Sequence, residues 1–320
     1  MNDLRTRAAA PAPPPAKAVP EQPALRKLAT WLDFKAAPYF LISPYFLLFS
    51  VFGLFPLGYT LWVSLHDWQL GGGERKFVGF DNYTELFQDA DFWNSVINTL
   101  GMFVLATVPQ LLLALFLANA LNRRLRGRLF FRLAVLIPMV TSIVAVAIVF
   151  SQLFARDFGL VNWLLRTDGL DWTADKKTSW TAIAMMVDWR WTGYNAMIYL
   201  AAMQSIPKDL YEAASIDGAS PRRQFFRITL PMLRPAIVFT AIISTIGGLS
   251  LFTEPLNFGS GDIMGGTLRQ FQTTAMYMYE SAFLHTRYGY AAAIAAMLFV
   301  LILVVSLVSF LLTRRIGGSR

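Results

Sequence analysis

The sequence contains no cysteine, only two histidines and little charge. Without cysteine the chain has no disulfide, thiolate metal ligand or cysteine nucleophile, and His66 and His285 are too scattered to predict a zinc site. Charged residues make up 15% of the chain and hydrophobic residues 55%, whereas about a quarter of the residues in an ordinary soluble domain are charged. This composition predicts a protein that lies in a membrane.

The sequence also lacks a Gly-Lys pair, which a phosphate-binding loop of the type G-x-x-x-x-G-K-[ST] requires. The glycine run at 71–73 is followed by Glu74 instead. We therefore expect that this chain binds no cofactor and is not an enzyme. Any energy from ATP has to arrive through contact with another subunit.

Six apolar segments are long enough to cross a bilayer, whose hydrocarbon core of about 30 Å needs roughly 20 helical residues. The predicted spans are 39–65, 96–121, 133–154, 180–203, 235–252 and 290–313. Five of them carry no charged residue, and the fourth contains Asp188 and Arg190. The sequence therefore predicts an all-α integral membrane protein with six transmembrane helices in one domain over residues 38–316.

Lysine and arginine are distributed unequally between the connections. Most of the 28 lie in the N-terminal segment, the second and fourth connections and the C-terminal tail, and the side richer in them stays in the cytoplasm. Both termini and the loop at 204–234 are thus predicted to be cytoplasmic. Because topology accounts for the net charge of +8, no nucleic-acid partner is expected. Residues 1–37, rich in proline and alanine, predict a disordered tail.

The loop at 204–234 carries several helix signals. A helix is predicted at 208–216, where Gly218 ends it by taking the left-handed conformation. Ser220 followed by proline gives the N-cap and first turn of a second helix, predicted at 221–229. Helices this short are marginal alone in water, so this loop is expected to pack against something else.

An outer connection at 77–100 predicts a further helix. Asp81 is expected to be its N-cap, and Phe87, Phe92 and Trp93 give the following run an apolar side. This pattern predicts a short helix at the membrane surface.

The loop sequence EAASIDGASPRRQFFRITLPMLRP at 212–235 resembles the EAA loop of ATP-binding-cassette importer permeases. WRWTGYNAMIYLAAMQSIP at 189–207 and GFDNYTELF at 79–87 are similar to six-span sugar permeases of the carbohydrate-uptake branch. The resemblance extends from about residue 38 onward. It implies that the loop forms a coupling helix that docks in a cleft of a cytoplasmic ATPase, with Glu212 and Gly218 at the contact. The other coupling residues expected from it are Ala213, Ala214, Asp217, Arg222 and Phe225.

The resemblance also implies a function and a set of partners. The chain would be the transmembrane permease subunit of an ATP-driven disaccharide or oligosaccharide importer in the bacterial plasma membrane. Its partners would be a second homologous permease, an ATPase dimer that binds ATP and Mg, an extracytoplasmic sugar-binding protein and membrane lipid. RQFQTTAMYMYESAF at 269–283 is similar to cellobiose and lactose-type permeases. Because the asparagine-rich run of some maltose permeases is missing, maltose is not the expected substrate.

Span four predicts part of a substrate path. An ionisable residue inside a bilayer costs roughly 2.5–3.5 kcal/mol and usually faces a bundle interior or a wet cavity. Asp188 and Arg190 are two residues apart and point to different sides of a helix, so each is expected to find a partner elsewhere. Flat aromatic faces and hydrogen-bonding groups suit a sugar ring. The candidates in this span are Asp188, Trp189, Trp191, Tyr194 and Asn195; helix packing and aromatic anchoring are the alternative interpretation.

Span five ends in GGLSLFTEPLNFGSG at 247–261. Its glycines permit close helix approach, and its polar residues are expected to break the helix beside protein or water. In the resembled family this helix contributes to the substrate cavity, so the second set of candidates is Ser250, Phe252, Glu254 and Asn257. Close packing alone is the alternative.

Two other functional classes were weighed. An ion-coupled secondary carrier would use Asp188, Arg190 and Glu254 as a coupling relay, but such carriers usually contain internal repeats and none is visible. A membrane-embedded hydrolase or transferase would need clustered catalytic groups near one surface. With two distant histidines and no cysteine, that cluster is missing.

Overall fold

The computed structural model describes residues 37–68, 75–123, 126–167 and 169–315. The predicted tail at 1–37 lies outside these ranges except for Ala37. The chain divides into two compact units, and the boundary between them lies between Gly58 and Tyr59.

The first helical segment comprises α1 (Ala37–Phe49), a π-helical turn (Ser50–Leu54) and α2 (Phe55–Ser64). It has the length and hydropathy of a membrane span, and α1 buries none of its side chains. The short strands β1 (His66–Asp67) and β2 (Lys76–Phe77) follow and pair antiparallel.

The helices after the strands form the larger part of the described chain. They are α3 (Asp81–Gln88), α4 (Ala90–Leu121), α5 (Arg128–Val140), α6 (Ile143–Leu153), α7 (Leu160–Leu165) and α8 (Lys176–Gln204). The loop contains α9 (Lys208–Ile216), α10 (Pro221–Gln224), a π-helical turn (Phe225–Thr229) and α11 (Leu230–Met232). The chain continues through α12 (Arg234–Leu249), α13 (Thr253–Phe258), α14 (Thr274–Tyr279), a π-helical turn (Glu280–Leu284) and α15 (Tyr288–Arg315).

The long helices α4 and α8 pack extensively on one another and form the centre of the second unit. Small and flexible residues such as Ala106, Ala182 and Met186 fill the space between the elements here. Gly101 of α4 lies under the ring of Trp180 of α8, where a Cβ atom would come within 2.1 Å of that ring. The two helices can approach this closely because Gly101 has no side chain.

The predicted third span at 133–154 is not one helix. Helices α5 and α6 meet at an angle of 94°, and the residues between them, Thr141 and Ser142, have extended backbone with ψ values of 142° and 128°. The Thr141 hydroxyl donates to the Ile137 carbonyl at 2.9 Å, a local bond of the kind that competes with a regular helix. Pro138, one turn earlier, also removes a backbone donor.

Within the described ranges, the helices Ala37–Ser64, Ala90–Leu121 and Tyr288–Thr313 are each long and apolar enough to cross a membrane. The count rises to five if the bent pair α5 and α6 and the bent pair around Leu233 are each one span. The predicted fourth span lies inside the 29-residue α8, which does not pass this test. The mostly helical membrane architecture is confirmed, and the number of six spans stays a prediction.

The predicted N-cap Asp81 is wrong by one position, because Asp81 is the first residue of α3 and Phe80 is its N-cap. Asp89 is the acidic N-cap in this region. Its carboxylate accepts from the backbone N–H groups of Asp91 at 2.9 Å and Phe92 at 3.4 Å and so starts α4. A helix begins where a side chain can turn back onto the first free N–H groups, and in α4 that side chain is Asp89.

Candidate functional site

The loop helix α9 runs from Lys208 to Ile216, as its sequence predicts. Gly218 follows with a φ of +74°, and its N–H donates to the Ser215 carbonyl at 3.0 Å. Ala219 then donates to Ala214 at 2.9 Å. These bonds satisfy carbonyl groups at the end of α9, and the left-handed turn that they need is the conformation glycine adopts without strain.

The second loop helix also begins as predicted. Pro221 occupies its first turn, and the Ser220 hydroxyl accepts from the Arg223 N–H at 3.4 Å. The predicted end at 229 is wrong, because the chain continues through a π-helical turn and through Pro231 to Met232. Pro231 fits because it lies in the first turn of α11, where its missing N–H costs little. The segment then bends by 65° into α12.

The coupling residues expected from the sequence lie mostly on the surface of this loop. Glu212, Ala213, Asp217, Gly218 and Arg222 are exposed, whereas Ala214 and Phe225 are half-buried. Helix α9 has no buried residue at all. Its last residue, Ile216, is 88% exposed. The loop therefore presents a formed helix with an apolar tip that nothing in the described chain covers.

Hydrogen bonds fasten the loop to itself. The hydroxyls of Tyr211 and Thr229 lie 2.8 Å apart and join α9 to the π-helical turn. The amide of Gln224 donates to the Ser215 hydroxyl at 2.9 Å and to the Ala219 carbonyl at 3.1 Å. The two short helices are thus held as one body.

Phe225 connects this body to the membrane helices. Its ring packs against a buried cluster at the ends of α4 and α8, with Leu121, Tyr199, Leu200 and Met203 among its members. A movement of the loop would therefore be passed directly to α4 and α8.

A cavity of about 250 Å³ lies between α4, α6, α8, α12 and α13. Its lining residues are Thr107, Gln110, Ile143, Val187, Arg190, Trp191, Ile243, Ser244, Gly247, Gly248, Ser250, Leu251 and Glu254. Three of the nine candidate path residues, Trp191, Ser250 and Glu254, are among them. Arg190, which the sequence singled out beside Asp188, also lines the cavity.

The charges of the cavity are only loosely paired. Arg190 Nη1 and Glu254 Oε1 are 3.9 Å apart, and the two side chains are 17% and 9% exposed. Arg190 Nε is buried and has no hydrogen-bond partner in the described chain. A buried donor left without a partner costs about 1–3 kcal/mol.

The other candidates from the sequence lie away from the cavity lining. Asp188 is half-buried, and its Oδ1 atom has no hydrogen-bond partner in the described chain. Trp189 is 47% exposed and lies against Phe150, and Tyr194 packs edge-on to Trp191.

Asn195, Phe252 and Asn257 have structural contacts. Asn195 donates to the Ser244 hydroxyl at 3.1 Å and joins α8 to α12. Phe252 packs on Tyr279, and Asn257 donates to the carbonyl four residues before it at 2.8 Å. Asn195 still affects the cavity, because Ser244 lines it.

Thr107 and Gln110 of α4 are lining residues that the sequence reasoning missed. Both are buried, with 5% and 3% of their surface exposed, and Gln110 brings an amide to the cavity wall. They lie on either side of Pro109, in a span that carries no charge. The sequence feature that could have identified them is the presence of two polar residues in an otherwise apolar run.

No three histidine, cysteine, aspartate or glutamate residues of the described ranges come together as a group that could hold a metal ion. The lining of the cavity offers hydroxyl, amide, indole and charged groups, which suit a polar molecule.

Similar proteins place the chain in a family. The model of the binding-protein-dependent transport system inner membrane component matches residues 110–318. The lactose transport system permease protein of Rhizobium radiobacter is 38% identical over 280 residues, which are 85% of this chain and 91% of that protein. The arabinooligosaccharides transport system permease protein of Bacillus subtilis (strain 168) is 35% identical over 310 residues, which are 93% and 96% of the two chains.

A chain of known structure has the same fold. It comes from a bacterial transporter of the ATP-binding-cassette class that imports the acidic polysaccharide alginate, and it matches with a TM-score of 0.73 and 24% identity over 91% of this chain and 100% of that one. The protein described here belongs to the family of binding-protein-dependent transport system inner membrane components.

Proposed function

We propose that this chain is the permease subunit of an ATP-driven importer that carries a disaccharide or oligosaccharide across the bacterial plasma membrane. The observation that carries the proposal is the hydrogen-bonded loop at 204–234, which exposes α9 on one side and packs Phe225 into the helix bundle on the other. Such a loop can receive force at its surface and pass it to the helices that line a cavity.

The proposed orientation has six spans and both termini in the cytoplasm. The lysine and arginine distribution supports it, and it puts Arg222, Arg223 and Arg227 of the loop on the cytoplasmic side. Helix α8 is the fourth span in this arrangement. Its two charged residues, Asp188 and Arg190, are both half-buried, and charged residues inside a span are tolerated where they face protein or water.

The proposed coupling contact is a cleft of a cytoplasmic ATPase that receives α9. The expected contact residues are Glu212, Ala213, Ala214, Asp217, Gly218, Arg222 and Phe225. The two alanines leave a shallow surface, and the exposed Ile216 would be covered in the complex. Binding a preformed helix avoids the cost of ordering it at the moment of contact.

Three partners complete the proposed importer. An ATPase dimer binds ATP and Mg and hydrolyses the ATP, a second homologous permease closes the cavity from the other side, and an extracytoplasmic binding protein delivers the sugar. The binding protein is supported by a structural neighbour with a TM-score of 0.74, a bacterial alginate transporter in complex with alginate pentasaccharide-bound periplasmic protein.

The cavity chemistry supports a sugar as the substrate. Trp191 supplies a flat aromatic face, and Gln110, Ser244 and Ser250 supply groups that bond hydroxyls. Relatives named for lactose and for arabinooligosaccharides favour a disaccharide or short oligosaccharide, and a cellobiose-like substrate is our specific proposal. The other candidates of the first set, Asp188, Trp189, Tyr194 and Asn195, lie outside the cavity lining, and their place in the substrate path stays a prediction.

Copurification and vesicle uptake test the proposed function. A tagged chain purified in mild detergent should bring an ATPase with it, and uptake of labelled cellobiose into vesicles should require ATP. Charge reversal at Glu212 should weaken ATPase retention, whereas reversal at Asp209, an exposed acid in the first turn of the same helix, should have little effect. Uptake driven by an ion gradient without nucleotide would refute the proposal in favour of a secondary carrier.

A further inference from the structure

A pair of arginines at the start of α5 converges on one neutral group. Arg128 and Arg132 are one helical turn apart and lie on the same face. With its side-chain oxygen turned toward them, Gln204 at the end of α8 accepts from Arg132 Nη2 at 2.5 Å and from Arg128 Nη2 at 2.8 Å. Two positive charges therefore share a single uncharged acceptor.

Among the residues that the structure describes, the arginine pair Arg128 and Arg132 has no acidic partner. The sequence contains no aspartate or glutamate from 92 to 156, and the ion pairs within the described ranges include neither arginine. Arg132 Nε is buried and has no hydrogen-bond partner there. Positive-inside topology explains why arginines are present in this connection, but it does not explain two guanidinium groups brought together without an anion.

The surroundings of the arginine pair are apolar and exposed. Leu129 and Phe130 are each 71% exposed, Leu133 is 54% exposed and Phe131 is 46% exposed. Aromatic and aliphatic side chains beside arginines are typical of the level at which lipid headgroups meet acyl chains. An acidic segment of a soluble partner would leave these side chains uncovered, whereas a phospholipid would cover them with its acyl chains.

We propose that Arg128, Arg132 and Gln204 form a binding site for the phosphate of an anionic phospholipid in the inner leaflet. The two guanidinium groups would bind the phosphate oxygens, since planar donor pairs suit phosphate geometry. Leu129, Phe130 and Leu133 would pack on the acyl chains. The site rests on the proposed orientation, which puts this end of α5 in the cytoplasmic leaflet.

Native mass spectrometry of the purified full chain tests the site. After reconstitution with phosphatidylglycerol and stepwise delipidation, the unaltered chain should retain one phosphatidylglycerol molecule more firmly than phosphatidylcholine. Replacing both arginines, R128Q/R132Q, should weaken this retention about 30-fold, because each guanidinium loses direct charge-assisted hydrogen bonds to the phosphate. The single variant R128Q, at an exposed position, should lose part of it without disturbing the packed side chain of Arg132.

The matched control is R123Q/R126Q, which removes two exposed charges of the same connection and should leave retention within about twofold. Equal retention by R128Q/R132Q and the unaltered chain would overturn the proposal. Displacement of the lipid by millimolar inorganic phosphate would also overturn it, in favour of a free-anion site. Loss of an ATPase subunit with unchanged lipid retention would overturn it in favour of an acidic protein contact. Because the lipid readout involves neither sugar nor nucleotide, its failure is distinguishable from failure of the proposed transport function.

Discussion

At the scale of single residues, Gly218 is the position whose backbone permits few substitutions. Its φ of +74° costs an ordinary L-residue about 1–2 kcal/mol, while glycine and, to a lesser degree, asparagine adopt it readily. Apart from Gly218 itself and its two chain neighbours, no atom of the described chain lies within 4 Å of the place that a Cβ would occupy. Any effect of substitution is therefore conformational and not steric.

We expect Gly218→Ala to loosen the turn between α9 and α10 and to lower ATP-dependent uptake several-fold, while the chain remains folded. Gly218→Asn should retain most of the activity, because asparagine tolerates the left-handed conformation. Amide exchange of α9 and vesicle uptake measure the two effects. Equal behaviour of the alanine and asparagine variants would contradict this explanation.

Arg190 and Glu254 give a second prediction at this scale. Removing one partner of a buried ion pair leaves the other charge uncompensated and can cost 3–5 kcal/mol, although the separation of 3.9 Å reduces the value here to about 2 kcal/mol. We expect Arg190→Met to lower thermal stability more than the double variant R190M/E254Q. If the double variant were the less stable of the two, the pair would not be coupled as described.

At the scale of elements, the connection between α13 and α15 is held by a buried ion pair. Arg269 donates to both carboxylate oxygens of Glu280, at 2.6 and 2.9 Å, and Gln272 adds a bond of 2.6 Å. Asn94 and Asn98 of α4 donate to the Arg269 carbonyl at 2.9 and 2.7 Å. The connection is therefore fixed to the start of α4.

The Glu280 carboxylate predicts how this element responds to acid. Burial alone would raise its pKa, but the bonds from Arg269 and Gln272 outweigh burial and hold the pKa below the ordinary value of 4.5. A lowered pKa in the folded state means that the stabilisation is complete above about pH 4.5 and is lost as the pH falls through the folded-state value. Thermal unfolding of the purified chain between pH 7 and pH 3 measures this loss of stabilisation.

We expect Glu280→Gln to lower stability at pH 7 by about 2–3 kcal/mol, as for hydrogen bonds to a charged group, and to flatten the fall at acid pH. The control is Glu85→Gln, because Glu85 and Arg287 form an exposed ion pair and exposed pairs contribute about 0–1 kcal/mol. The same acid dependence in Glu280→Gln as in the unaltered chain would assign the effect to other carboxylates, such as the N-cap Asp89.

The elements also show what the sequence could predict and why. Helix α9 was predicted to the residue because proline, alanine and glycine fix both of its ends locally. The break at Thr141 and Ser142 was not predicted, since a single threonine and serine are common in apolar helices and only packing decides whether they interrupt one. The π-helical turn at 225–229 and the helix that continues through Pro231 were not predicted either, because they also depend on how the loop packs against α9.

The cavity was predicted in part for a related reason. Arg190 stood out because charge inside a membrane span is costly, and Glu254 stood out because it lies where span five is expected to break. Both line the cavity. Thr107 and Gln110 were missed because uncharged polar residues give a weaker signal. Which side of α8 faces α12 and α13 follows from long-range packing, so Trp191 could not be separated from Trp189 by sequence.

At the scale of the whole molecule, family membership confirms that the chain is a permease subunit and not an enzyme. The missing Gly-Lys pair had indicated the same.

The lack of cysteine has a practical benefit for testing the orientation, because a single introduced thiol is then the only one in this sequence.

In cells that lack the ATPase partner, which would otherwise cover Ile216, we expect Ile216→Cys to react with a membrane-impermeant maleimide only in inverted vesicles and Phe158→Cys only in intact spheroplasts. Both positions are well exposed, at 88% and 74%, so access is set by the side of the membrane and not by burial. Labelling of Ile216→Cys from outside would reverse the proposed topology and with it the contact between α9 and an ATPase.

The bend of 94° between α5 and α6 has a consequence for the insertion of the chain into the membrane. At 1.5 Å per residue the two arms of 13 and 11 residues are about 20 and 17 Å long, so neither reaches across a hydrocarbon core of about 30 Å. Lipid cannot solvate the irregular peptide groups at Thr141 and Ser142, and α8, which packs on α5, is synthesised later. We therefore expect the two arms to be stable in the bilayer only once α8, which packs on α5, has also been inserted.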